Sequence, residues 1–315
     1  MSRVVVATAY GGPEVLAVAD EPLTVPGLGE ARIKVRASGV NPVDYKTYSG
    51  SFGSDPGRLP LRLGLEAAGE VTAVGPDAVG PAGSVAVGDE VIAFRVSGGY
   101  AAELVVAAQS LVPKPPGLGW AEASGMMLAG ATAWHAVVAT AVGTGDTVLV
   151  HGAAGGVGLM VIQLAAARGA SVVGTASPAR HDVLREFGAI PVAYGQGLAD
   201  RVRAAPPQGV TAALDLVGTD EAVDVSVALV SDRSRIATIA AQRRGLELGI
   251  KVLGGAPGAD PGTAIRDAAR LELARLAGQG RLRVLVDRTF PLESAADAHR
   301  LSMGGHVSGK IALIP

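Results

Sequence analysis

The residues with the clearest chemical potential lie in a glycine-rich turn. Ala153, Gly155 and Gly158 occupy the three positions of a G-x-G-x-x-G turn, with alanine in place of the first glycine, and Gly156 adds a fourth small residue. Small residues there allow a tight turn, close approach of the backbone to a pyrophosphate, and close packing of helix on strand. An apolar, β-branched run precedes the turn, and a second strand-like run follows the helical stretch after it. This context predicts a dinucleotide site rather than an ordinary strand-to-helix connection.

The end of the second strand indicates which dinucleotide is bound. An NAD site places Asp or Glu about 20 residues past the turn, where the carboxylate accepts hydrogen bonds from the ribose. Residues 171–180 (SVVGTASPAR) contain no carboxylate, and they offer Thr175, Ser177 and Arg180 as hydroxyl and guanidinium donors for a 2′-phosphate. Ser177 also fits a helix N-cap before proline, and the alternative for Arg180 is a solvated helix residue. We therefore predict NADPH as the cofactor.

Composition bounds the remaining possibilities. The chain has 315 residues, a net charge of −2 and no cysteine, so it is long enough for two domains and lacks disulfides and thiolate metal sites. No run of lysine or arginine suggests a nucleic-acid or anionic-membrane surface. Two stretches free of charged residues, 123–145 and 147–167, are interrupted by glycine and polar residues, which fits a covered parallel sheet better than a membrane span. The first residues lack the pattern of a signal peptide, and we expect a cytoplasmic protein.

The elements that position the turn fall into two groups. Short runs at residues 31–37, 69–74 and 90–94, punctuated by glycine and proline, predict a β-rich first part. VPKPPGLG, residues 112–119, has the composition of a domain boundary, and residues 121–142 read as helical. Strand-like runs then alternate with helical stretches, which predicts a doubly wound parallel sheet. These runs are 147–151, 171–175, 190–193, 211–217, 235–239 and 250–253.

The last part of the chain is less regular. Residues 263–277 form an amphipathic helical pattern, and residues 308–313 form a final strand that could return to the first domain. The predicted fold class is thus α/β, with a β-rich domain beside a doubly wound one.

With these motifs in place, the chain resembles the medium-chain dehydrogenase/reductase superfamily, and within it the zinc-free quinone oxidoreductase-like branch. The resemblance covers nearly the whole length. Its carriers are SGVNPVDYKTYSG, GLEAAGEVTAVG, VGDEV, GATAWHAV, VLVHGAAGGVG and FPLESAADAHRL.

The resemblance implies a GroES-like catalytic domain from residues 1–118 and 256–315, and a Rossmann domain from residues 119–255 that binds NADP. It implies an active site in the cleft between them, and a homodimer formed through the strand around residues 250–254. Zinc-dependent members carry cysteine where this chain has Asn41 and histidine where it has Leu65. The four-cysteine structural lobe is also missing, so no metal site is predicted.

The motif N-P-V-D-x-K also resembles the subgroup that contains enone and alkenal reductases. On that resemblance, Lys46 is the candidate donor to the developing enolate oxygen, and Asn41 orients the nicotinamide ribose or the substrate. Tyr48, with Tyr45, is the reserve proton donor. The alternative for Lys46 is an ordinary surface lysine. Asp44 is expected to pin the loop, while His135 and His151 are expected to be packed; His306 and Lys310 fit either the cofactor cleft or a turn and strand.

The functional hypothesis is hydride transfer from NADPH to a quinone or to an α,β-unsaturated carbonyl compound. Two alternatives stay open: a non-catalytic NADPH-binding sensor or structural protein, and an enoyl-thioester reductase. The expected partners are a small-molecule substrate and a second copy of the chain, without nucleic acid or membrane. The residues predicted to contact the cofactor are Asn41, Thr132, Ala154, Gly155, Gly156, Val157, Thr175, Ser177, Arg180, Tyr194, Val217 and Ile239.

Overall fold

The chain folds into two compact units. The structure, a computed structural model, describes residues 1–206, 208–305 and 307–315. The first unit comprises Met1–Leu128 and Arg270–Pro315, and the second comprises Ala129–Ala269. The first unit thus uses both ends of the chain, and its borders lie 10 and 14 residues beyond the predicted borders at 118 and 255.

Eighteen strands and ten α-helices are found in the described residues. The strands are β1 (Ser2–Ala7), β2 (Leu16–Glu21), β3 (Glu30–Val40), β4 (Leu61–Arg62), β5 (Glu66–Val74), β6 (Val79–Gly80), β7 (Gly83–Ser84), β8 (Glu90–Phe94), β9 (Glu103–Ala107), β10 (Leu111–Pro113), β11 (Thr147–His151), β12 (Ser171–Ala176), β13 (Ile190–Ala193), β14 (Ala212–Asp215), β15 (Ile236–Thr238), β16 (Lys251–Val252), β17 (Val286–Pro291) and β18 (Lys310–Ile314). The helices are α1 (Pro42–Tyr48), α2 (Trp120–Ser124), α3 (Met127–Ala139), α4 (Gly156–Ala166), α5 (His181–Glu186), α6 (Leu198–Ala204), α7 (Asp220–Leu229), α8 (Gln242–Glu247), α9 (Thr263–Gly278) and α10 (Ala295–Met303).

The first unit is a β-rich body around one long strand. β3 pairs with β5, β9 and β18, all antiparallel, and it lies within a seven-stranded sheet of order β10-β8-β5-β3-β18-β17 with β9 alongside. Alternate residues of β3, such as Ala31, Ile33 and Val35, are buried, as the two-residue period of a half-buried strand requires. The final strand β18 therefore does return to the first part of the chain, as the sequence suggested.

The second unit is a six-stranded parallel sheet of order β13-β12-β11-β14-β15-β16. All five residues of the central strand β11 are buried, which fits the apolar run at residues 148–150 at its centre. This topology confirms the predicted Rossmann-type domain. No helix in the described ranges is long and apolar enough to cross a membrane.

The helix expected over residues 121–142 is divided in two. Gly125 ends α2, where its N–H bonds to the Glu122 carbonyl at 3.2 Å, and α3 begins two residues later at Met127. A Cβ on Gly125 would lie 3.0 Å from Lys310 Cε. The break therefore coincides with a place where the backbone packs directly on a buried lysine.

Candidate functional site

The glycine-rich turn of the second unit has the geometry of an anion cradle. Gly155 is the N-cap of α4 and accepts a 3.0 Å hydrogen bond from Leu159 N–H, so the amides before Leu159 in the first turn have no intrahelical acceptor. Ala154 is 5% exposed, while Gly155, Gly156 and Val157 are half-buried. A Cβ on Gly158 would overlap the backbone of Ala153, which explains why only glycine fits there. The helix therefore presents free N–H groups and its positive dipole end to solvent.

The carboxyl ends of the parallel strands collect the other residues predicted to contact a cofactor. β12 is followed at once by Ser177, β13 by Tyr194 and β15 by Ile239, while Val217 follows β14 by two residues. In open parallel sheets, ligands bind outside these carboxyl ends. The second unit therefore brings these predicted residues to the edge of the sheet that also holds the cradle.

The end of β12 differs from prediction at one residue. Ser177 and Arg180 are half-buried at the 3-10 turn Pro178–Arg180, and no carboxylate occurs between residues 171 and 180. Thr175 is only 3% exposed, and its hydroxyl lies 3.2 Å from His151 Nδ1. The predicted pairing of the Thr175 hydroxyl with a 2′-phosphate is not supported, because this hydroxyl is buried against the adjacent strand.

His151 ends β11 and is 1% exposed. Burial lowers its pKa to about 4, although Asp215 and Glu221 oppose the shift. Its Nε2 has no hydrogen-bond partner among the described residues. His151 is therefore a neutral, packed side chain at neutral pH, in agreement with the role expected from its sequence position.

Asp215 was not anticipated and organises the loops after β14 and β15. It is fully buried, and Oδ1 accepts hydrogen bonds from Val217 N–H at 3.1 Å and Gly218 N–H at 2.8 Å. Its Oδ2 accepts one from Thr238 Oγ1 at 2.7 Å, and Thr238 Oγ1 accepts from Ala241 N–H at 2.9 Å. One carboxylate thus fixes the two loops that carry Val217 and Ile239. In the sequence, the only sign of this role for Asp215 is an acidic residue at the end of an apolar strand.

The loop after β13 is held by Arg201 and by Glu221, whose Oε2 accepts the Gly195 N–H at 2.9 Å. Arg201 on α6 donates to the carbonyls of Ala193, Gly195 and Gln196 at 2.7–3.0 Å. Tyr194 between these residues is 59% exposed, so its ring remains available to a ligand.

In the first unit, Asn41 follows β3 and precedes α1. It is 2% exposed, and Nδ2 donates to Glu66 Oε1 at 3.0 Å and to the Gly39 carbonyl at 3.3 Å. Its Oδ1 accepts a hydrogen bond from Lys310 Nζ. Both amide hydrogens are therefore engaged within the protein, which leaves Asn41 without a free donor for a ribose or a substrate.

A buried hydrogen-bonded chain supports the start of α1. Asp44 Oδ2 accepts the Asn41 N–H and the Tyr100 hydroxyl, each at 2.9 Å. The Tyr100 hydroxyl lies 2.9 Å from His299 Nε2, and the Tyr48 hydroxyl lies 2.8 Å from His299 Nδ1. Burial raises the pKa of Asp44 to about 7 and lowers that of His299 to about 4. Asp44 pins the loop, as the sequence suggested.

The structure does not support Tyr48 as a proton donor to substrate. Its side chain is 0% exposed within a core cluster, and its hydroxyl is bonded to His299. Burial raises the pKa of Tyr48, with Asp44 adding to the shift, so its proton is held more firmly than that of a free tyrosine. Helix α1 is short, and its apolar and polar residues alternate, so the sequence pattern around Tyr48 did not indicate that its side chain is buried.

Lys46 is placed differently. It lies in the last turn of α1 and is half-buried, and its ammonium makes no hydrogen bond or ion pair with the described part of the chain. Thr132, on α3 in the second unit, is 7% exposed.

Lys310 is 5% exposed and bonded to Glu66, so it is an internal residue. His306 lies outside the described residues. Among described residues, no group of three or more His, Asp or Glu could hold a metal ion.

Comparison with known proteins gives the family. Residues 27–142 match the alcohol dehydrogenase GroES-like domain, and residues 187–313 match the zinc-binding dehydrogenase family. A quinone oxidoreductase from Pseudomonas aeruginosa is 33% identical over the full length of both chains. The protein belongs to the medium-chain dehydrogenase/reductase superfamily. The Escherichia coli quinone oxidoreductase, solved in complex with NADPH, is 26% identical over all of both chains, with a TM-score of 0.86.

A second kind of relative covers only part of the chain. A polyketide synthase from Streptomyces halstedii is 41% identical over 161 residues, which is 51% of this chain and 3% of the synthase. The chain therefore shares half of its length with a small piece of a much larger enzyme.

Proposed function

We propose that this protein is an NADPH-dependent oxidoreductase that reduces a quinone or an α,β-unsaturated carbonyl compound without a metal. The observation that carries the proposal is the carboxyl edge of the parallel sheet. There a cradle of free amides at the start of α4 lies beside a β12 end that offers Arg180 and no carboxylate. The NADPH complex of the E. coli relative supports the same cofactor.

The residues of the cradle fit a dinucleotide phosphate. Gly155 has space at its Cβ position, where the nearest atom is the Gly152 carbonyl oxygen at 3.4 Å, so a phosphate oxygen can approach the backbone closely. Arg180 and the Ser177 hydroxyl would hold a 2′-phosphate, which a carboxylate at this place would repel. Tyr194 offers an exposed ring for the adenine side.

When bound, NADPH supplies a hydride to the β-carbon of a conjugated carbonyl or to a quinone. As that bond forms, the electron pair of the C=C bond moves toward the carbonyl oxygen, which becomes an enolate or hydroquinone anion and then takes a proton from the medium. We assign Lys46 to the stabilisation of this oxygen, because its ammonium has no other partner in the described residues.

The metal-free part of the proposal rests on the donors present. The chain has no cysteine, and the buried Asn41 amide is used by Glu66 and Lys310. A buried ammonium beside these groups disfavours a second cation.

The test of this assignment is Lys46→Met. We expect kcat/KM for an enone or a quinone to fall by about 10² to 10³, the range for loss of one oxyanion donor, with little change in NADPH affinity. Lys34→Met is the matched control, because Lys34 is exposed on β3 and its ammonium also has no partner among the described residues. Wild-type turnover in Lys46→Met would refute the assignment, and equal losses of NADPH binding and turnover would make Lys46 a cofactor ligand.

A second candidate function is reduction of an enoyl thioester. The half-length similarity to a polyketide synthase supports it, since the chemistry is the same hydride addition to a conjugated carbonyl. Comparing kcat/KM for an enoyl thioester with that for a quinone distinguishes the two. A non-catalytic NADPH-binding role predicts tight NADPH binding without turnover on either substrate.

We also propose a cytoplasmic homodimer joined at β16. This two-residue strand lies at one edge of the six-stranded sheet, where the Val252 carbonyl accepts the Asp260 N–H at 2.8 Å. An edge strand can still add a strand from a second copy where its backbone groups remain open. Light scattering of the purified protein tests this point, because a monomer at micromolar concentration would contradict it.

A further inference from the structure

A buried ion pair in the first unit calls for an explanation beyond stability. Lys310 Nζ lies 3.1 Å from Glu66 Oε1, and the two side chains are 5% and 0% exposed. Taking two charges out of water is costly, and their attraction rarely exceeds that cost by much. A pair of well-packed apolar residues would hold the fold as well.

The pair is fully hydrogen-bonded. The ammonium of Lys310 has three N–H donors, and three oxygens surround it: the Val40 carbonyl at 3.1 Å, Asn41 Oδ1, and Glu66 Oε1. Asn41 in turn donates to Glu66 Oε1. Glu66, Lys310 and Asn41 thus form a closed triangle, and a shift of either charged side chain must move the asparagine.

The second oxygen of Glu66 extends this triangle to a helix. Glu66 Oε2 accepts the Leu128 N–H at 2.8 Å, in the first turn of α3. A carboxylate at this end of a helix satisfies an otherwise free amide and interacts favourably with the helix dipole. One side chain therefore ties β5 to β18, to the end of β3, and to the start of α3.

Two glycines, Gly39 and Gly125, pack against the outside of this triangle. A Cβ on Gly39 would overlap the Ser124 carbonyl oxygen and the Glu66 carboxylate, and a Cβ on Gly125 would press on the Lys310 side chain. These close approaches leave little space around the cluster.

We propose that Glu66 and Lys310 are positioning residues for hydride transfer, which act by fixing Asn41 and the first turn of α3. The inference rests on the proposed oxidoreductase function and extends it to residues that touch neither reactant. Asn41 leads directly into α1, which carries Lys46, and α3 carries Thr132. The two elements that start at this cluster therefore carry the predicted donor and a predicted cofactor contact.

The decisive variant is Glu66→Asp. It keeps the charge of the pair, so the ammonium stays compensated, but its carboxylate is shorter by one methylene and cannot reach Leu128 N–H and Lys310 Nζ at their present distances. We expect kcat with a quinone to fall about tenfold or more, which corresponds to 1.4 kcal/mol of transition-state stabilisation. The dissociation constant of NADPH should change less than about threefold, because the phosphate cradle and the end of β12 carry most of the predicted cofactor contacts, whereas α3 contributes only Thr132.

Glu70→Asp is the matched control. Glu70 lies on the same strand, and its partner Arg36 lies on β3 at 3.2 Å, but both side chains are more than 40% exposed. Surface pairs of this kind contribute little, so kcat should stay within about twofold of wild type. Wild-type kcat in Glu66→Asp would overturn the proposal.

A neutral double variant separates positioning from folding. Glu66→Gln with Lys310→Met removes both charges together, which avoids a buried uncompensated ion. Should Glu66→Asp fail to fold, this variant decides: reduced kcat with an unchanged NADPH dissociation constant supports the proposal, and wild-type kcat overturns it.

Amide hydrogen exchange keeps this inference distinct from the proposed function. Exchange of the Leu128 amide in Glu66→Asp should be at least about tenfold faster than in wild type, since its acceptor is withdrawn. If wild-type protein oxidises no NADPH with any quinone or enone, the proposed function has failed, and exchange still tests the contact. Unchanged exchange at Leu128 would show that Glu66 does not fix α3.

Discussion

Replacing Asp44 by asparagine should change how the stability of the protein depends on pH. The Asp44 carboxyl is 2% exposed, and both of its described hydrogen bonds, from Asn41 N–H and the Tyr100 hydroxyl, go to Oδ2. The amide oxygen of asparagine can accept both bonds. The substitution therefore removes the titrating proton and keeps the contacts.

The magnitude follows from the pKa. Burial raises the pKa of Asp44 from 3.8 to about 7, while the bonds from Asn41 and Tyr100 and the charge of Lys310 act against burial. Between these pH values the folded protein keeps a proton that the unfolded chain releases, so the free energy of unfolding falls as pH rises from 3.8 to about 7 and levels off above that. The full interval corresponds to roughly 4 kcal/mol, or about 1.4 kcal/mol for each pH unit.

The buried histidines change the stability in the opposite direction with pH. Burial lowers the pKa of His151 and His299 to about 4, so the unfolded chain binds protons first and stability falls as pH drops below 6.5. Both histidines are present in wild type and variant, so their contributions cancel in the difference between the two unfolding free energies.

The assay is urea unfolding of both proteins between about pH 4.5 and 8, with the difference in unfolding free energy plotted against pH. The Asp44→Asn variant should gain several kcal/mol relative to wild type across this range. Asp200→Asn, at a carboxylate that is 85% exposed, controls for loss of one negative charge. A difference that does not change with pH would refute the conclusion that Asp44 is held protonated.

Three further predictions concern the cofactor. Arg180→Ala should lower NADPH affinity about tenfold or more and leave NADH affinity nearly unchanged, as measured by fluorescence titration; an unchanged ratio of affinities would contradict the 2′-phosphate assignment. Gly156→Val should abolish NADPH binding in a folded protein, because the added side chain fills the space that the pyrophosphate needs, whereas Gly143→Val, where a Cβ meets no atom within 4 Å, should bind normally. Activity should survive exhaustive EDTA treatment, and turnover that is lost and then restored by zinc would overturn the metal-free proposal.

Local patterns predicted most of the fold. β8, β11 and β13 have the predicted bounds, because each is a short apolar run that ends near turn residues, and this signal is local in the sequence. The helix expected over residues 121–142 is divided at Gly125, where the backbone packs against Lys310, a residue 185 positions later. Its interruption depends on tertiary packing, which a local pattern does not contain.

The same difference between local sequence pattern and tertiary packing explains which site residues could be predicted. The turn at Gly155 was found in the sequence because its neighbours in the chain are also its neighbours in space. Tyr48 and its partner His299 are separated by 251 residues, and Glu66 and Lys310 by 244. No periodicity links such pairs, so the burial of Tyr48 and the engagement of Asn41 became evident only from the folded chain.

Metal-free, NADPH-dependent reduction of a quinone or an enone is tested most directly by following NADPH oxidation with the purified, EDTA-treated protein. The substrates are a simple quinone, a conjugated enone and an enoyl thioester, each measured also with NADH. We expect saturable oxidation of NADPH with the quinone or the enone, and much weaker oxidation of NADH. Tight NADPH binding without turnover of any of the three, or equal use of NADH, would contradict it.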